Sequence, residues 1–424
     1  MASFSFGAGN AAKLLRIPLY IAGRLLTLVT PRTRDLWVFG CGGGIGDGAL
    51  ALWQVAAEED IDAVWLVDGE RDAEDARARG IRTLPKHSVA GLWRTARSRV
   101  IVITHGFGDV NRYAVSGGFV VQLWHGIPLK RIGVDSPETL RPPGFLRGTA
   151  LAGPARRLLG IMYRAATRRI DVLPAASHLV RGRLQSAFSL RDAAVPVTGE
   201  PRVDVLSAGE PATRRAAAGE LIAAATGAPL DDEVRVVLYA PTWRDGDEDP
   251  AIPDSGAAAR ITALLEEQDA VLLIRSHPLG AGAYDIPSDR VRMLGSDRLR
   301  DITPALSRVD VLITDYSSLA YDCSLVPMPV VYLAPDVVEY AQQRGFYGRY
   351  QDVAGDDWAR DWTDAVAQLR AVLADPAERD RRLDRARALD AQVHAYSDGG
   401  STRRVFDLIR ARIAAAGPGP EPHP

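Results

Sequence analysis

Short apolar runs, largely of β-branched residues, recur along the chain, and longer amphipathic stretches separate them. Such runs are typical of strands buried on both faces, and the stretches between them have helical spacing. The alternation therefore predicts βα units and parallel sheets. In the first half, the predicted strands are Leu36–Phe39, Ala63–Val67, Val100–Thr104, Phe119–Leu123, Ile170–Leu173 and Val195–Thr198. In the second half, they are Arg235–Tyr239, Ala270–Ile274, Val291–Leu294, Asp310–Thr314 and Val330–Leu333.

The two series of strands predict two open α/β sheets in two domains, which we assign to residues 36–208 and 232–412. Residues 209–231 between them contain an Ala-rich helix, Glu210–Thr226, and are interpreted as a linker. The Gly- and Pro-rich residues 413–424 predict a disordered tail. Because open α/β sheets bind ligands at the carboxyl ends of their strands, a site is expected in a central cleft between the domains.

The N-terminal segment, residues 1–35, is apolar but carries Lys13, Arg16 and Arg24. At about 100° per residue, these three lie on one side of a helix. Pro18 is expected to start such a helix rather than to lie inside one. Two interpretations stay open: a helix lying on a membrane surface, and a helix packed on the domain with its basic face in water. No uncharged apolar stretch reaches the roughly 18 residues that a membrane span requires.

Composition excludes several classes of protein. The 424 residues are 47% hydrophobic and 25% charged, as in soluble globular proteins. With 51 Lys and Arg against 53 Asp and Glu, the chain has no global basic field for nucleic acid. The two cysteines, Cys41 and Cys323, have no C-x-x-C spacing, so neither a disulfide framework nor a zinc site made of cysteines is expected. We expect no metal and no cofactor, and leave dependence on a divalent cation open.

A histidine follows one of the predicted strands of the first domain. In Trp124–Lys130 (Trp-His-Gly-Ile-Pro-Leu-Lys), the strand delivers His125 into a turn shaped by glycine and proline. Because imidazole titrates near neutral pH, His125 is a candidate general base. A hydrogen-bonded structural histidine beside a buried tryptophan is the alternative.

Two further motifs follow strands of the second domain. Thr242 and Arg244, in Tyr-Ala-Pro-Thr-Trp-Arg-Asp, could contact a ligand or merely cap the next element. Arg275 and His277, in Arg-Ser-His-Pro, could both donate to phosphate oxygens, although a structural ion pair would also explain them.

Hydroxyl-rich turns open two helices of the second half. The segment Thr314–Ser318 (Thr-Asp-Tyr-Ser-Ser) ends a strand and starts a helix, where backbone N–H groups, the helix dipole and serine hydroxyls favour an anion. A plain N-cap by Ser317 is the alternative. Asp398–Arg404 starts another helix, either as a second anion site or as an ordinary cap.

A glycine-rich loop offers a competing interpretation. Gly44-x-Gly46-x-x-Ala49 matches the looser dinucleotide fingerprint, and Asp68 ends the next strand at the distance expected for a ribose ligand. This would make the chain an NAD-dependent oxidoreductase. The fingerprint is weak, because so many glycines satisfy it easily. The sequence contains no Walker A motif, which excludes P-loop phosphoryl transfer.

Together, these motifs resemble the CDP-glycerol glycerophosphotransferase family, the teichoic acid primases and polymerases. The resemblance extends from about Trp37 to Arg404. Further matching motifs are Thr198-Gly-x-Pro-Arg-x-Asp204, Glu339-Tyr340, Arg344-Gly-Phe-Tyr347 and Asp398-Gly-x-Ser401. The glycine-rich loop departs from the family pattern, which puts the identity of the acceptor in doubt more than the chemistry.

The resemblance implies a GT-B fold of two Rossmann-like domains and a transferase. A hydroxyl of a lipid-linked acceptor, a saccharide or a polyol phosphate, would attack the glycerol-bearing phosphorus of CDP-glycerol, and CMP would leave. The resemblance implies that His125 is the base and that His277 helps to hold the pyrophosphate. His277 is the rival base, but its Arg-x-His-Pro setting suits phosphate binding and leaving-group charge better. The expected donor ligands are Thr242, Arg244, Arg275, Thr314, Asp315, Ser317, Ser318, Arg344 and Ser401. Gly126, Lys130 and Asp135 are assigned to the acceptor side, and Asp135 is the candidate to orient the imidazole.

The family also implies an enzyme of teichoic acid or related cell-surface polymer synthesis, bound peripherally to the cytoplasmic face of the bacterial membrane. An anionic membrane surface would then be a partner, and nucleic acid would not. CDP-ribitol as donor, primase or polymerase action, and oligomeric state stay open. An NAD-dependent oxidoreductase and a nucleotide-binding protein without turnover are the competing function classes.

Overall fold

The structure, a computed structural model, describes residues 16–146, 148–242, 244, 249–276, 284 and 286–415. The chain divides into two compact units. The first comprises the residues up to His125, residues 132–204 and the residues from Gly400 onward. The second comprises Gly126–Arg131 and Val205–Gly399.

The first unit is built on a parallel sheet of six strands, in the order β3-β2-β1-β4-β5-β6. The strands are β1 (Thr33–Phe39), β2 (Asp62–Val67), β3 (Thr83–Pro85), β4 (Ser98–Ile103), β5 (Phe119–Gln122) and β6 (Ile170–Val172). Its helices are α1 (Ile17–Val29), α2 (Asp47–Glu58), α3 (Glu70–Ala78), α4 (Val89–Arg97), α5 (Ala152–Thr167) and α6 (His178–Phe188), and the last helix of the chain.

The second unit is built on a parallel sheet of five strands, in the order β11-β10-β7-β8-β9. The strands are β7 (Arg235–Ala240), β8 (Ala270–Ile274), β9 (Val291–Met293), β10 (Val311–Thr314) and β11 (Val330–Tyr332). Its helices are α7 (Pro211–Thr226), α8 (Ser255–Glu267), α9 (Leu319–Leu325), α10 (Val337–Gln343), α11 (Gln351–Ala354), α12 (Trp362–Ala374) and α13 (Pro376–Val393). The predicted α/β class with two parallel sheets is therefore confirmed.

The last helix, α14 (Ser401–Ala415), belongs to the first unit. It buries Val405, Phe406 and Ile409 in the same core as the residues of β1, and the ring of Phe406 lies 5.6 Å from that of Trp37. The predicted second domain, residues 232–412, is therefore wrong at its C-terminal end. The error arises because the apolar face of a helix can pack on either sheet. A helix that follows the second domain in sequence need not pack on the sheet of that domain.

The predicted linker, residues 209–231, is also part of a domain. Helix α7 lies in the second unit, where Arg215 pairs with Asp310 at 3.0 Å. Arg308, which is 1% exposed, donates to the carbonyl oxygens of Asp231 and Val234 and holds the following turn to the sheet. The polar stretch after α7 is therefore hydrogen-bonded to the second unit and is not a flexible linker.

Ten of the eleven predicted strands are present, with ends shifted by at most three residues. The eleventh, Val195–Thr198, is wrong, because only an isolated bridge joins Val197 to Ala175. Pro196 interrupts this segment and has no N–H for a ladder. The sequence also failed to predict β3, which is only three residues long and ends at Pro85.

Helix α1 begins near Pro18, as predicted. Gly23 faces the backbone of Tyr113 with no room for a side chain, and the ring of Tyr20 lies 5.1 Å from that of Tyr113. The residues on its other side, Ile21, Leu25 and Leu28, are more than half exposed. Lys13 lies outside the described residues. Among the helices described, none is long and apolar enough to cross a membrane.

Candidate active site

His125 follows β5 in a turn whose backbone is strained. Trp124 has a φ of 62°, which a side chain larger than asparagine rarely adopts. Such outliers cluster at functional sites, where the surroundings hold them in place. The Nδ1 atom of His125 lies 3.3 Å from the carbonyl oxygen of Thr104. Because a carbonyl only accepts, this contact requires a proton on Nδ1 and places the lone pair on Nε2.

A second histidine, His105, lies beside His125. The two rings are parallel within 5°, and their centroids are 4.2 Å apart. His105 follows β4, and the carboxylate of Asp109 fixes its turn by accepting from the backbone N–H groups of Thr104 and His105, at 2.9 and 2.7 Å. Burial lowers the pKa of His105, although Asp109 opposes this effect. The sequence analysis missed His105, even though it precedes a glycine after a strand just as His125 does.

The residues assigned to the acceptor side lie in different places. Gly126 and Lys130 belong to the second unit rather than to the predicted acceptor domain. Backbone bonds join their segment to the Arg344–Tyr347 motif: Tyr347 donates to Leu129 at 2.9 Å, and Lys130 bridges Phe346. The Trp124–Lys130 and Arg344–Tyr347 motifs are therefore paired through their backbones.

Asp135 lies in the first unit, where its carboxylate accepts from the hydroxyl of Ser186 at 2.8 Å. The sequence analysis suggested this carboxylate as the group that orients the imidazole. The structure shows a contact of that kind between His125 and the Thr104 carbonyl instead.

In the second unit, Asp315 lies at the end of β10 and connects two strand ends. Its carboxylate accepts from the backbone N–H of Thr242 at 2.9 Å and from the guanidinium of Arg244 at 2.6 Å. Asp336, which follows β11, accepts from Nη2 and Nε of the same guanidinium at 2.9 and 3.3 Å. Burial alone would lower the pKa of Arg244, but Asp315 and Asp336 together raise it above its ordinary value.

Aromatic rings enclose this ion-pair network. Tyr316 and Tyr340 are stacked with centroids 4.0 Å apart, and the Arg244 guanidinium lies 5.3 Å from each ring. The Tyr316 hydroxyl donates to Asp336 at 2.9 Å. Since Nε, Nη1 and Nη2 of Arg244 all donate within the protein, Arg244 holds the strand ends together. The sequence analysis missed Asp336, which no motif distinguishes.

Two predicted phosphate ligands have their side chains engaged elsewhere. The guanidinium of Arg275 donates to the carbonyl oxygens of Leu299 and Arg300 at 2.7 and 2.8 Å. Its burial lowers its pKa to about 10, which Asp301 and Asp297 oppose. The hydroxyl of Thr314 donates to the carbonyl of Ala240 at 2.7 Å and ties β10 to β7. Both side chains therefore stabilise the site rather than face an open ligand position.

Two other hydroxyls at the strand ends are buried and have no hydrogen-bond partner among the described residues. They are Thr242 Oγ1 and Ser276 Oγ, just beyond the carboxyl ends of the neighbouring strands β7 and β8. A buried hydroxyl without a partner costs about 1–3 kcal/mol. Both are therefore candidates to bind a ligand. The sequence analysis singled out Thr242 but not Ser276.

The serines before α9 have partly local roles. Ser317 accepts from the backbone N–H of Leu319 at 3.2 Å, which is the predicted capping alternative. Ser318 precedes the helix without a side-chain capping bond. Ser317 retains a hydroxyl hydrogen to donate after this contact.

The remaining predicted site residues lie in different units, and one of them lies outside the described residues. Ser401 belongs to the first unit, and its backbone N–H donates to Asp204 at 3.0 Å. The carboxylate of Asp204 thus caps the start of α14, and the assignment of Ser401 as a donor ligand stays a prediction. Arg344 ends α10 in the second unit. His277 lies outside the described residues.

The competing dinucleotide interpretation is not supported. Asp68, the expected ribose ligand, pairs with Lys86 at 2.6 Å. The glycine-rich loop instead packs on His105. The approach is so close that a Cβ atom at position 42 would lie 2.8 Å from the imidazole Cγ.

Comparison with known sequences identifies the class of protein. The model of the CDP-Glycerol:Poly(glycerophosphate) glycerophosphotransferase family matches residues 33–411, so the chain belongs to this family. Among its relatives is the teichoic acid glycerol-phosphate transferase of Staphylococcus aureus, 29% identical over 54% of this chain and 56% of that protein. Another is the teichoic acid poly(glycerol phosphate) polymerase of Staphylococcus epidermidis, 29% identical over 69% of this chain and 39% of the polymerase. The chain thus spans about half the length of these relatives or less.

A solved structure has the same fold. The wall teichoic acid polymerase TagF matches with a TM-score of 0.72 at 20% identity, over 96% of this chain and 97% of that one. The predicted GT-B-like class is therefore confirmed, and so is the predicted family. The NAD-dependent alternative has no support from these comparisons.

Proposed function

We propose that the protein transfers glycerol phosphate from CDP-glycerol to a hydroxyl of a lipid-linked acceptor and releases CMP. The supporting observation is the setting of His125, a strand-end imidazole with Nδ1 on a carbonyl, in a chain that belongs to this family. TagF has also been studied in a variant soaked with CDPG, which supports a CDP-linked donor for this chain.

In this proposal, His125 is the general base. Its Nε2 takes the proton of the acceptor hydroxyl while the alkoxide oxygen bonds to the glycerol-bearing phosphorus. The bond from that phosphorus to the bridging pyrophosphate oxygen breaks, and CMP carries away the electron pair. A positioned base typically contributes 10²–10⁴-fold to the rate. The carbonyl of Thr104 fixes the tautomer that this step needs.

The donor would bind at the carboxyl ends of β7, β8 and β10. Thr242 and Ser276 supply buried hydroxyls that have no partner in the described part of the chain, and Ser317 and Ser318 lie at the end of the neighbouring strand. Arg244 and Asp315 act as positioning residues, because they hold the backbone of Thr242.

The test is a donor panel. CDP-glycerol, CDP-ribitol and NAD are each incubated with the protein and a synthetic lipid-linked acceptor, and CMP release is measured. We expect CMP only when a CDP-polyol and an acceptor are both present. The ratio of the two CDP-polyol rates identifies the donor. Binding of CDP-glycerol without CMP release would leave only a nucleotide-binding protein and overturn the proposal.

Such an acceptor requires contact with the membrane, and α5 has a suitable surface. Leu151, which directly precedes α5, forms an exposed apolar stripe with Leu158 and Ile161 along one side of the helix, and the last two are 49% and 62% exposed. Arg157 and Arg164 are exposed beside this stripe. A helix with an apolar stripe and an adjacent basic stripe is typical of one lying in a membrane interface. We propose that α5 binds the anionic cytoplasmic face of the membrane.

Helix α1 extends this surface. Arg24 lies close enough to Arg169, just after α5, to help lower the pKa of Arg169, although burial is the larger cause. Two neighbouring basic groups favour an anionic surface. Each contributes about 1 kcal/mol of attraction near such a surface.

Vesicle sedimentation tests this placement. The protein should bind phosphatidylglycerol vesicles at low salt, bind phosphatidylcholine vesicles weakly, and lose binding as salt rises. The double change Leu158→Ser and Ile161→Ser should weaken binding. Val338→Ser, an equally exposed position in the second unit, is the matched control. Equal sedimentation with both vesicles would contradict the placement without affecting the transferase proposal.

A further inference from the structure

Three side chains of different chemistry meet beside His125, outside the machinery described above. They are Cys41, Asp47 and His105, and a thiol sulfur, a carboxylate oxygen and an imidazole nitrogen all lie within 4.8 Å of one another. Cys41 is buried, and the other two are half-buried. None of these residues serves as a base or donor ligand in the proposed transfer.

The fold brings the three together from distant points of the sequence. Cys41 follows β1, Asp47 starts α2, and His105 follows the neighbouring strand β4. The glycine-rich loop passes so close to the imidazole that residue 42 has no room for a side chain. Its glycines thus have a role other than holding a dinucleotide: they allow the loop to place a thiol and a carboxylate against His105.

Hydrogen bonds fix the orientation of His105. One ring nitrogen, Nδ1, lies 2.7 Å from the hydroxyl of Thr104, and the backbone N–H of His105 donates to Asp109. Imidazoles that bind metals are typically fixed in orientation by neighbouring hydrogen bonds.

We propose that Cys41, Asp47 and His105 form a binding site for a divalent transition metal, of which Zn²⁺ fits best. Thiolate, imidazole and carboxylate are the three ligand types that zinc uses, at about 2.0–2.3 Å. Ligands at those distances around a tetrahedron lie roughly 3.3–3.8 Å apart, so the cluster has to contract by about 1 Å. Three protein ligands leave the fourth position open, as in zinc sites that also bind water or substrate.

The electrostatics of the site favour a cation. The carboxylates of Asp47 and Asp109 lie close enough to the Cys41 sulfur to act on it electrostatically. A divalent ion would bind the thiolate and neutralise the adjacent carboxylate. The parallel stacking of His105 on His125 places this ion next to the proposed base.

Metal analysis of tag-free protein tests the site. The full chain is treated with chelator, titrated with Zn²⁺ and, separately, with Co²⁺, and desalted. We expect about one tightly bound ion per chain. With Co²⁺ we expect the near-ultraviolet charge-transfer band of a cobalt–thiolate bond. Failure of the wild-type chain to retain Zn²⁺, or a Co²⁺ spectrum without the thiolate band, would overturn the proposal.

Matched cysteine variants then identify the ligand. Cys323 is also fully buried, but it lies in α9 of the second unit. Cys323→Ser should retain the metal and the cobalt band. Cys41→Ser should abolish the band and weaken Zn²⁺ binding by at least about 10–100-fold. Removing only a hydrogen-bond partner of a metal ligand typically causes a loss of that size, and here the ligand itself is removed. Loss of the band in Cys323→Ser but not in Cys41→Ser would refute the assignment.

Discussion

His125 and Arg244 both follow directly on parallel strands, and sequence reasoning assigned each to the active site, yet their surroundings differ. His125 is half-buried, follows a strained residue and has one ring nitrogen directed at a carbonyl. Arg244 is 8% exposed and has all three guanidinium nitrogens engaged by Thr242, Asp315 and Asp336. A polar residue at a strand end can therefore either react or hold other residues in place.

The hydrogen-bond inventory distinguishes these two roles. A side chain whose donors are satisfied inside the protein stabilises the fold, and its removal leaves its partners buried without compensation. A side chain that acts on a ligand instead costs activity or affinity rather than stability when it is removed. The following predictions test this distinction between the two regions.

The largest effect is expected from the saturated network. Asp315→Ala removes one of the two carboxylates that pair with the buried guanidinium of Arg244 and the acceptor of the Thr242 backbone N–H, so it should lower the free energy of unfolding by about 3–5 kcal/mol. Urea denaturation measures this loss. The control is Asp352→Ala, which breaks the exposed pair with Arg349 and should cost at most about 1 kcal/mol. Equal effects of the two changes would show that Asp315 is not a structural hub.

The next effect concerns rate rather than stability. His125→Ala should reduce turnover of CDP-glycerol by at least about 100-fold, or about 2.7 kcal/mol in the barrier, because the acceptor hydroxyl loses its base. CDP-glycerol affinity and the thermal midpoint should stay nearly unchanged. His178→Ala, at an exposed position of the same unit, is the control. If the His125 variant kept its rate and lost donor affinity, the assignment of roles would be wrong.

A pair of threonines separates the two roles within one sheet. Thr242→Val removes a buried hydroxyl without a partner, so CDP-glycerol affinity should fall by about 1.5–3 kcal/mol while stability is retained. Thr314→Val removes the bond to the Ala240 carbonyl, so stability should fall by about 1–3 kcal/mol while affinity is retained. Calorimetric titration and thermal melts of both variants give the comparison. The reverse pattern would exchange the two roles.

The smallest effect is expected at Ser317, which combines both roles. Ser317→Ala loses the bond from the Leu319 N–H, so we expect a stability loss of about 0.5–2 kcal/mol. Its hydroxyl hydrogen can also reach an anion, so CDP-glycerol affinity should fall by about 1 kcal/mol. Ser318→Ala, which removes no capping bond, should leave stability unchanged. Unchanged affinity with a lower midpoint for Ser317→Ala would make Ser317 a plain cap.

The sequence by itself determined the class of fold and the family. Continuous apolar runs such as Val100–Ile103 are buried on both faces, and burial of that kind depends on local composition and length. The order of the motifs along the chain predicted the glycerophosphotransferase family, which the match over residues 33–411 confirmed. Strand ends also marked where polar side chains would collect, because parallel strands end at one edge of a sheet.

Only the tertiary structure decided what those polar side chains do. Arg244 meets Asp336 across 92 residues, and Ser401 meets Asp204 across 197, so neither partner could be found from spacing. The same holds for Cys41 and His105, which β1 and β4 bring together. A side chain's role depends on whether its hydrogen-bonding groups are already satisfied, and that depends on neighbours supplied by distant segments. Sequence patterns predict residue types and elements, whereas folding selects the partners.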